Sequence, residues 1–224
     1  MKKCVITYLY GNKEIIREPL VKDDDIEYIC VTDDNNIKFG DWKPIYDPMK
    51  NIHSLRDKVA NVKFNPFKYT DADEILIMDG SYQIKSYLNP LFEEFKDFDI
   101  GLKLHTYHFN LREELPYWLN RGLSKTQYIN FHKMAEIDKI DLSKVTEYEG
   151  SLLLYKNNNY GKSFGDEVLS YMKMLGEGEN LIVTNQCPLS YIVYKNHQKD
   201  KIYNINQFNY FNRFIHRSNM RWEH

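Results

Sequence analysis

Continuous apolar runs, each broken by an acid or a glycine, dominate the first half of the chain. Residues 4–10 (CVITYLY) are β-branched and aromatic and predict a buried first strand, ended by Gly11-Asn12. Residues 26–32 (IEYICVT) predict a second strand, stopped by Asp33-Asp34-Asn35-Asn36, and residues 42–46 a short third. From 53 to 64 the spacing turns helical, with Leu55, Val59 and Val62 on one side. Residues 73–78 (DEILIM) are the clearest buried strand; Asp79-Gly80-Ser81 stops it and residues 82–84 resume extended chain. The pattern then predicts a helix over 90–95, a strand over 99–104, helices over 111–122 and 124–139, and a strand over 150–155. A turn at Asn157-Asn158-Asn159 precedes helices over 164–175 and 184–194. Strands alternating with helices argue an α/β fold.

Composition narrows the class. With 224 residues, 42% of them hydrophobic, the chain can bury one substantial core, and a single domain over 1–224 is expected. Thirty basic against 32 acidic residues leave a net charge of −2, so no whole-molecule attraction to nucleic acid or anionic membrane is expected. The three cysteines, Cys4, Cys30 and Cys187, show no CxxC spacing, which argues against a disulfide scaffold or a zinc site. No apolar run approaches the ~18 residues of a membrane helix, and no apolar stretch of signal-peptide type follows Met1-Lys2-Lys3. A cytoplasmic location without a transmembrane segment is therefore expected. Walker, GxGxxG, GxSxG and HExxH signatures are all missing.

The chemistry concentrates where strands end. Ligands of open α/β sheets bind beyond the carboxyl ends of the strands, so Asp79-Gly80-Ser81 is a candidate for holding a diphosphate through Mn²⁺ or Mg²⁺, with Gly80 letting the backbone approach. An Asp-Gly turn is the plainer alternative. Thr32-Asp33-Asp34 is a second acidic strand end, suited to a nucleoside or simply to a turn. Lys63 and Lys68 precede the central strand and suit phosphate or a solvated face. His105 follows another strand end and suits substrate, proton or metal. Glu113 and Glu114 open a helix, as dipole partners or, for Glu114, as a general base. The last twenty residues are aromatic and basic, which leaves stacking on a nucleic acid as a rival reading.

In chain order these pieces resemble the glycosyltransferase-like family that contains plant mucilage and pollen-tube proteins and bacterial members, the domain of unknown function 616 group. The resemblance spans about residues 28–195. It rests on Tyr28-Ile29-Cys30-Val31-Thr32-Asp33 with Trp42, on Lys63-Phe64-Asn65-Pro66, and on Ile77-Met78-Asp79-Gly80. His105 and Glu114 keep the family's spacing, Glu149-Gly150 precedes a buried strand, and Asn185-Gln186 stands where the family has Asp-Gln. The resemblance implies a GT-A-like, Rossmann-like mixed sheet flanked by helices, a nucleotide-sugar donor, a glycan acceptor and a role in bacterial polysaccharide biosynthesis. Carried over by position, Thr7 and Asp33 would contact the nucleoside, Lys63 the phosphate, and Asp79, Gly80 and Ser81 the diphosphate. Asp79 and His216 would hold Mn²⁺ or Mg²⁺, and His105, Glu114 and Gln186 would line the sugar and acceptor side. Ser81 stands where many GT-A enzymes place a second acid, and two departures from the family stand out: His108 replaces an arginine and Asn185 an aspartate. These departures favour the alternative of a non-catalytic glycan- or nucleotide-binding module on the same fold.

Overall fold

The structure, a computed structural model, describes residues 1–11, 16–36, 40–105, 110–176, 181–182, 184–196, 202–207 and 214–216, with 207 and 214–216 described by their backbone. Its centre is a seven-stranded sheet of order β3-β2-β1-β4-β7-β6-β8. The strands are β1 (Lys3–Leu9), β2 (Ile26–Thr32), β3 (Lys43–Tyr46), β4 (Glu74–Met78), β6 (Ile100–Leu104), β7 (Tyr148–Lys156) and β8 (Ile202–Asn204). Strands β3, β2, β1 and β4 run parallel, β7 is antiparallel to both β4 and β6, and β8 is parallel to β6. The apolar runs of β1, β2 and β4 are what a parallel strand covered on both faces requires. Two further strands, β5 (Tyr82–Ile84) and β9 (Phe214–His216), form a separate antiparallel pair.

Side chains alternate along β1. Cys4, Ile6, Tyr8 and Tyr10 face one core layer, while Val5 and Leu9 face the other. The first layer is closed by α1 (Leu55–Phe64), α3 (Leu111–Leu119), α4 (Lys125–Ile137), α5 (Asn159–Met174) and α6 (Gln186–Asn196). The second is closed by α2 (Asn89–Phe95), through Leu91, Phe92 and Phe95, with Tyr82 and Ile84 of β5. This is the mixed α/β sheet flanked by helices that the sequence points to.

Element ends differ from the periodic reading where polar side chains decide them. Helix α5 begins at Asn159 because the Asn158 side chain accepts the Gly161 N–H at 2.8 Å, which turns the expected Asn-rich turn into a cap. Ser124 and Gln127 form a reciprocal capping box at α4. Pro116 sits inside α3, so the helix forgoes one backbone bond there.

Two glycines set how closely α5 packs. A Cβ on Gly165 would stand 1.9 Å from the Phe64 carbonyl oxygen, and one on Gly161 2.2 Å from that of Lys156. Helix α5 therefore rests directly on the end of α1 that carries Lys63.

Candidate functional site

Three parallel strands run into an acid at their carboxyl ends: β2 into Asp33, β3 into Asp47 and β4 into Asp79. One stretch of chain, at five-residue spacing, answers all three. Lys58 Nζ lies 3.4 Å from Asp33, Lys63 Nζ 2.9 Å from Asp79 Oδ1, and Lys68 Nζ 2.6 Å from Asp47. Leu55 touches Gly11, so α1 passes the ends of β1, β2 and β4 as it delivers these cations.

The Asp79 pair is the most built of the three. The Tyr8 hydroxyl donates to the same Asp79 oxygen as Lys63, and the Lys63 ammonium stands 5.7 Å from the Tyr8 ring centroid. The Lys63 side chain is 6% exposed and that of Asp79 29%, so the cation is sunk behind a carboxylate that still reaches solvent. Next to it the Gly11 N–H donates to Asp33 at 3.1 Å, and Lys58 stands 5.4 Å from the Tyr10 ring centroid. Burial alone would raise the Asp47 carboxyl, but hydrogen bonds from Lys68 and Tyr69 outweigh it and hold the group below its ordinary value.

A second polar cluster adjoins the first through β7. The Asp79 N–H donates to the Ser151 carbonyl at 3.0 Å. The Ser151 hydroxyl donates to Glu149 at 3.0 Å and lies 3.3 Å from the Tyr82 hydroxyl. Buried Lys103 binds Glu149 and donates to the Tyr82 oxygen at 3.2 Å. Gly150 is fixed by contact: a Cβ there would stand 2.8 Å from Asn185 Oδ1. The Glu149-Gly150 and Asn185-Gln186 motifs, far apart in sequence, thus meet at the amino end of α6. The His105 N–H donates to the Glu147 carbonyl at 3.0 Å, bringing the end of β6 to the same place.

The fold brings Asp33, Lys63, Asp79, Gly80, Ser81, His105 and Gln186 to one edge of the sheet. Thr7 is fully buried within β1, and the side chain β1 delivers to Asp79 is that of its neighbour Tyr8. Lys68 serves Asp47 rather than Asp79. Glu114 is fully buried and accepts the Trp118 indole N–H from its own helix, so it supports the site from inside rather than facing a substrate. Trp42 is structural: its indole N–H donates to the Arg17 carbonyl at 3.0 Å and its ring meets Tyr28 edge-on at 5.7 Å. The His216 backbone pairs with Tyr82, three positions beyond Asp79, while its side chain lies outside the described residues. His108 and most of the aromatic tail, residues 208–213 and 217–224, lie outside them as well.

Sequence reasoning missed Tyr8, Lys58, Lys103 and Glu147. The five-residue spacing of Lys58, Lys63 and Lys68 was a readable signal; a lone lysine inside an apolar strand, such as Lys103, carried none.

A divalent cation fits this edge in part. Among the described residues no group of three or more His, Cys, Asp or Glu side chains could hold an ion. Magnesium sites shared with substrate phosphates need only one or two protein carboxylates, and Asp79 supplies one. The charge balance favours the fit: Asp33, Asp47, Asp79 and Glu149 each already face one lysine, which leaves these pairs with no surplus positive charge to set against a diphosphate.

Among the described residues no helix is long and apolar enough to cross a membrane. No family model matches the chain, and no curated protein does. Among solved structures, the chain is similar to the glycosyltransferase GlyE of Streptococcus pneumoniae TIGR4, at 13% identity and a TM-score of 0.49. That alignment covers 93% of this chain and 46% of the other, so the chain spans about half the length of the protein it matches.

Proposed function

We propose that the chain is a glycosyltransferase of the mucilage and pollen-tube protein family named above. It binds a nucleotide-diphosphate sugar across the carboxyl ends of β1, β2 and β4 and passes the sugar to a glycan acceptor, in polysaccharide biosynthesis. The observation that carries this reading is Asp79 at the end of β4, held by buried Lys63 and by Tyr8 beside a second lysine-held acid, Asp33.

The roles follow from position. Asp33 and the Gly11 backbone flank the nucleoside. Lys63 holds the Asp79 carboxylate from behind, so that Asp79 faces the phosphates in a fixed rotamer. Mn²⁺ or Mg²⁺ at Asp79, with His216 as a second ligand, would supply Lewis-acid stabilisation of the departing nucleotide. Glu149, Ser151 and Lys103 lie where sugar hydroxyls need donors and acceptors, and His105 and Gln186 border the acceptor side.

Thermal stabilisation by a panel of UDP-, GDP- and CMP-sugars, with and without Mn²⁺, tests the reading. A donor present at ~100 times its dissociation constant should raise Tm by about 5–10 °C, and Asp79→Ala should abolish the shift. No shift with any donor at saturating concentration would overturn the reading. The complete burial of Glu114 and the amide at Asn185 favour a second reading, a binding module without turnover. It predicts the same shift with no sugar released or transferred.

A further inference from the structure

A groove runs along α1 beside the Asp79 edge. It consists of two hollows, of about 530 Å³ and about 240 Å³, which share Asn51, Ile52 and Asn61 as walls. The larger falls within the ~300–1,000 Å³ of ordinary small-molecule sites. It is closed on the far side by α5 and Leu181, and the smaller ends against Lys68 and Tyr69. Among the described residues, neither Asp79 nor Lys63 lines the groove. Its walls are tied in place by hydrogen bonds within the protein. The chain after β3 turns back at Met49, whose φ of 43° is left-handed. Asp47 accepts the Met49 N–H at 3.2 Å, and the Ile52 N–H donates to the Met49 carbonyl at 2.8 Å. Lys68 and Tyr69 in turn donate to Asp47 at 2.6 and 2.9 Å. At the other end, Asp57 accepts the Leu181 N–H at 3.2 Å. Between them the Asn61 side chain, which lines both hollows, is fixed by donating to the Asp57 carbonyl at 2.8 Å.

We propose that this groove binds an uncharged glycan chain, with carboxamides against its hydroxyls and aliphatic side chains against its C–H faces. Asp57, Asn61 and Asn65 recur at four-residue spacing along α1 and its C-cap, so one polar stripe faces the groove. Asn51 joins it from the turn that follows β3. A carboxamide carries a donor and an acceptor side by side, which is what two neighbouring sugar hydroxyls require. Ile52, Leu169 and Leu181 supply the apolar contact. The charges do not select an ion. Asp47 is matched by Lys68, Asp57 is engaged by the Leu181 N–H, and Lys50 and Lys173 are exposed, where salt screens them. The groove's own side chains carry this ligand class. That the bound chain is the acceptor, held behind its reacting end, rests on the function proposed above.

Chemical-shift mapping of the whole chain by NMR, titrated with glucan, mannan, galactan and xylan hexasaccharides and with inorganic phosphate as the charged control, tests it. At least one hexasaccharide should move the signals of Asn51, Asn61 and Ser170. Asn61→Ala should weaken that binding about fivefold to tenfold, the loss of one or two hydrogen bonds. Ser170 lines the larger hollow from the exposed side of α5, so Ser170→Arg leaves the core untouched while laying a long side chain across the groove. It should weaken binding by roughly tenfold or more. The proposal is overturned if no hexasaccharide moves the groove signals, or if Ser170→Arg binds as tightly as wild type, which would place the glycan elsewhere. It is equally overturned if phosphate alone moves those signals, since charge and not a hydroxyl pattern would then be recognised. No nucleotide-sugar is present in these titrations, so their failure and the failure of the donor melting assay are separate results.

Discussion

At the scale of single residues, the Asp79 site turns on one ion pair. Lys63 and Asp79 are close, at 2.9 Å, and unequally buried. Removing a partner of a fully buried pair costs 3–5 kcal/mol, and the exposed side of Asp79 lowers that here. Lys63→Met is expected to cost about 1–3 kcal/mol in denaturant unfolding and to abolish the donor-induced rise in Tm. Lys68→Ala is the contrast. Its ammonium is about half exposed, so the change should cost no more than ~1 kcal/mol and leave the donor shift intact. A substitution series with equal effects at both lysines would contradict the assignment. The acids were legible because a polar residue terminating an apolar run marks the edge of a sheet. Tyr8 was not, although β-alternation places it and Thr7 on opposite faces. Choosing between the two needed the face on which α1 lies.

Elements were easier to read than their junctions. The buried strands and most helices stand where apolar spacing put them, because that spacing is itself the consequence of one covered face or two. Their contacts were hidden. Gly165 has an unremarkable place in a helical pattern, yet any side chain there would drive into the Phe64 carbonyl. Gly165→Ala should therefore cost about 2–3 kcal/mol or more, rather than gain helix propensity. It should also weaken donor stabilisation, because α1 must shift and Lys63 moves with it. Chemical denaturation and the donor melting assay check the two parts separately. Gly150→Ala works at shorter range: its Cβ would displace the Asn185 side chain. A larger loss of ligand response than of stability is expected there.

For the whole molecule, pH separates two kinds of carboxyl. Asp25, Asp47 and Asp138 are held below their ordinary values by hydrogen bonds and nearby lysines that outweigh burial. Their contribution is present above the unfolded value and fades as pH falls. Glu74 is the opposite case: buried in β4 with both oxygens lacking a hydrogen bond, its carboxyl is raised by burial, with Lys156 and Lys3 only partly offsetting it. A raised acid leaves the fold most stable below the unfolded value, ~4.3, and costs stability as pH climbs through the folded one. Glu74→Gln should accordingly raise Tm at neutral pH by about 2–5 °C, with the gain shrinking toward pH 4. An equal gain at all pH values would show that ionisation is not the cause. The α/β class, the order of the strands along the chain and the acids at their ends were determined by the sequence alone, because burial period and turn chemistry are local properties. The pairing of Lys58, Lys63 and Lys68 with three separate strand ends was decided only in three dimensions. So was the meeting of Gly150 with Asn185. Each depends on which strands neighbour one another, and the order β3-β2-β1-β4-β7-β6-β8 follows from packing two faces of one sheet at once, which no window of sequence contains.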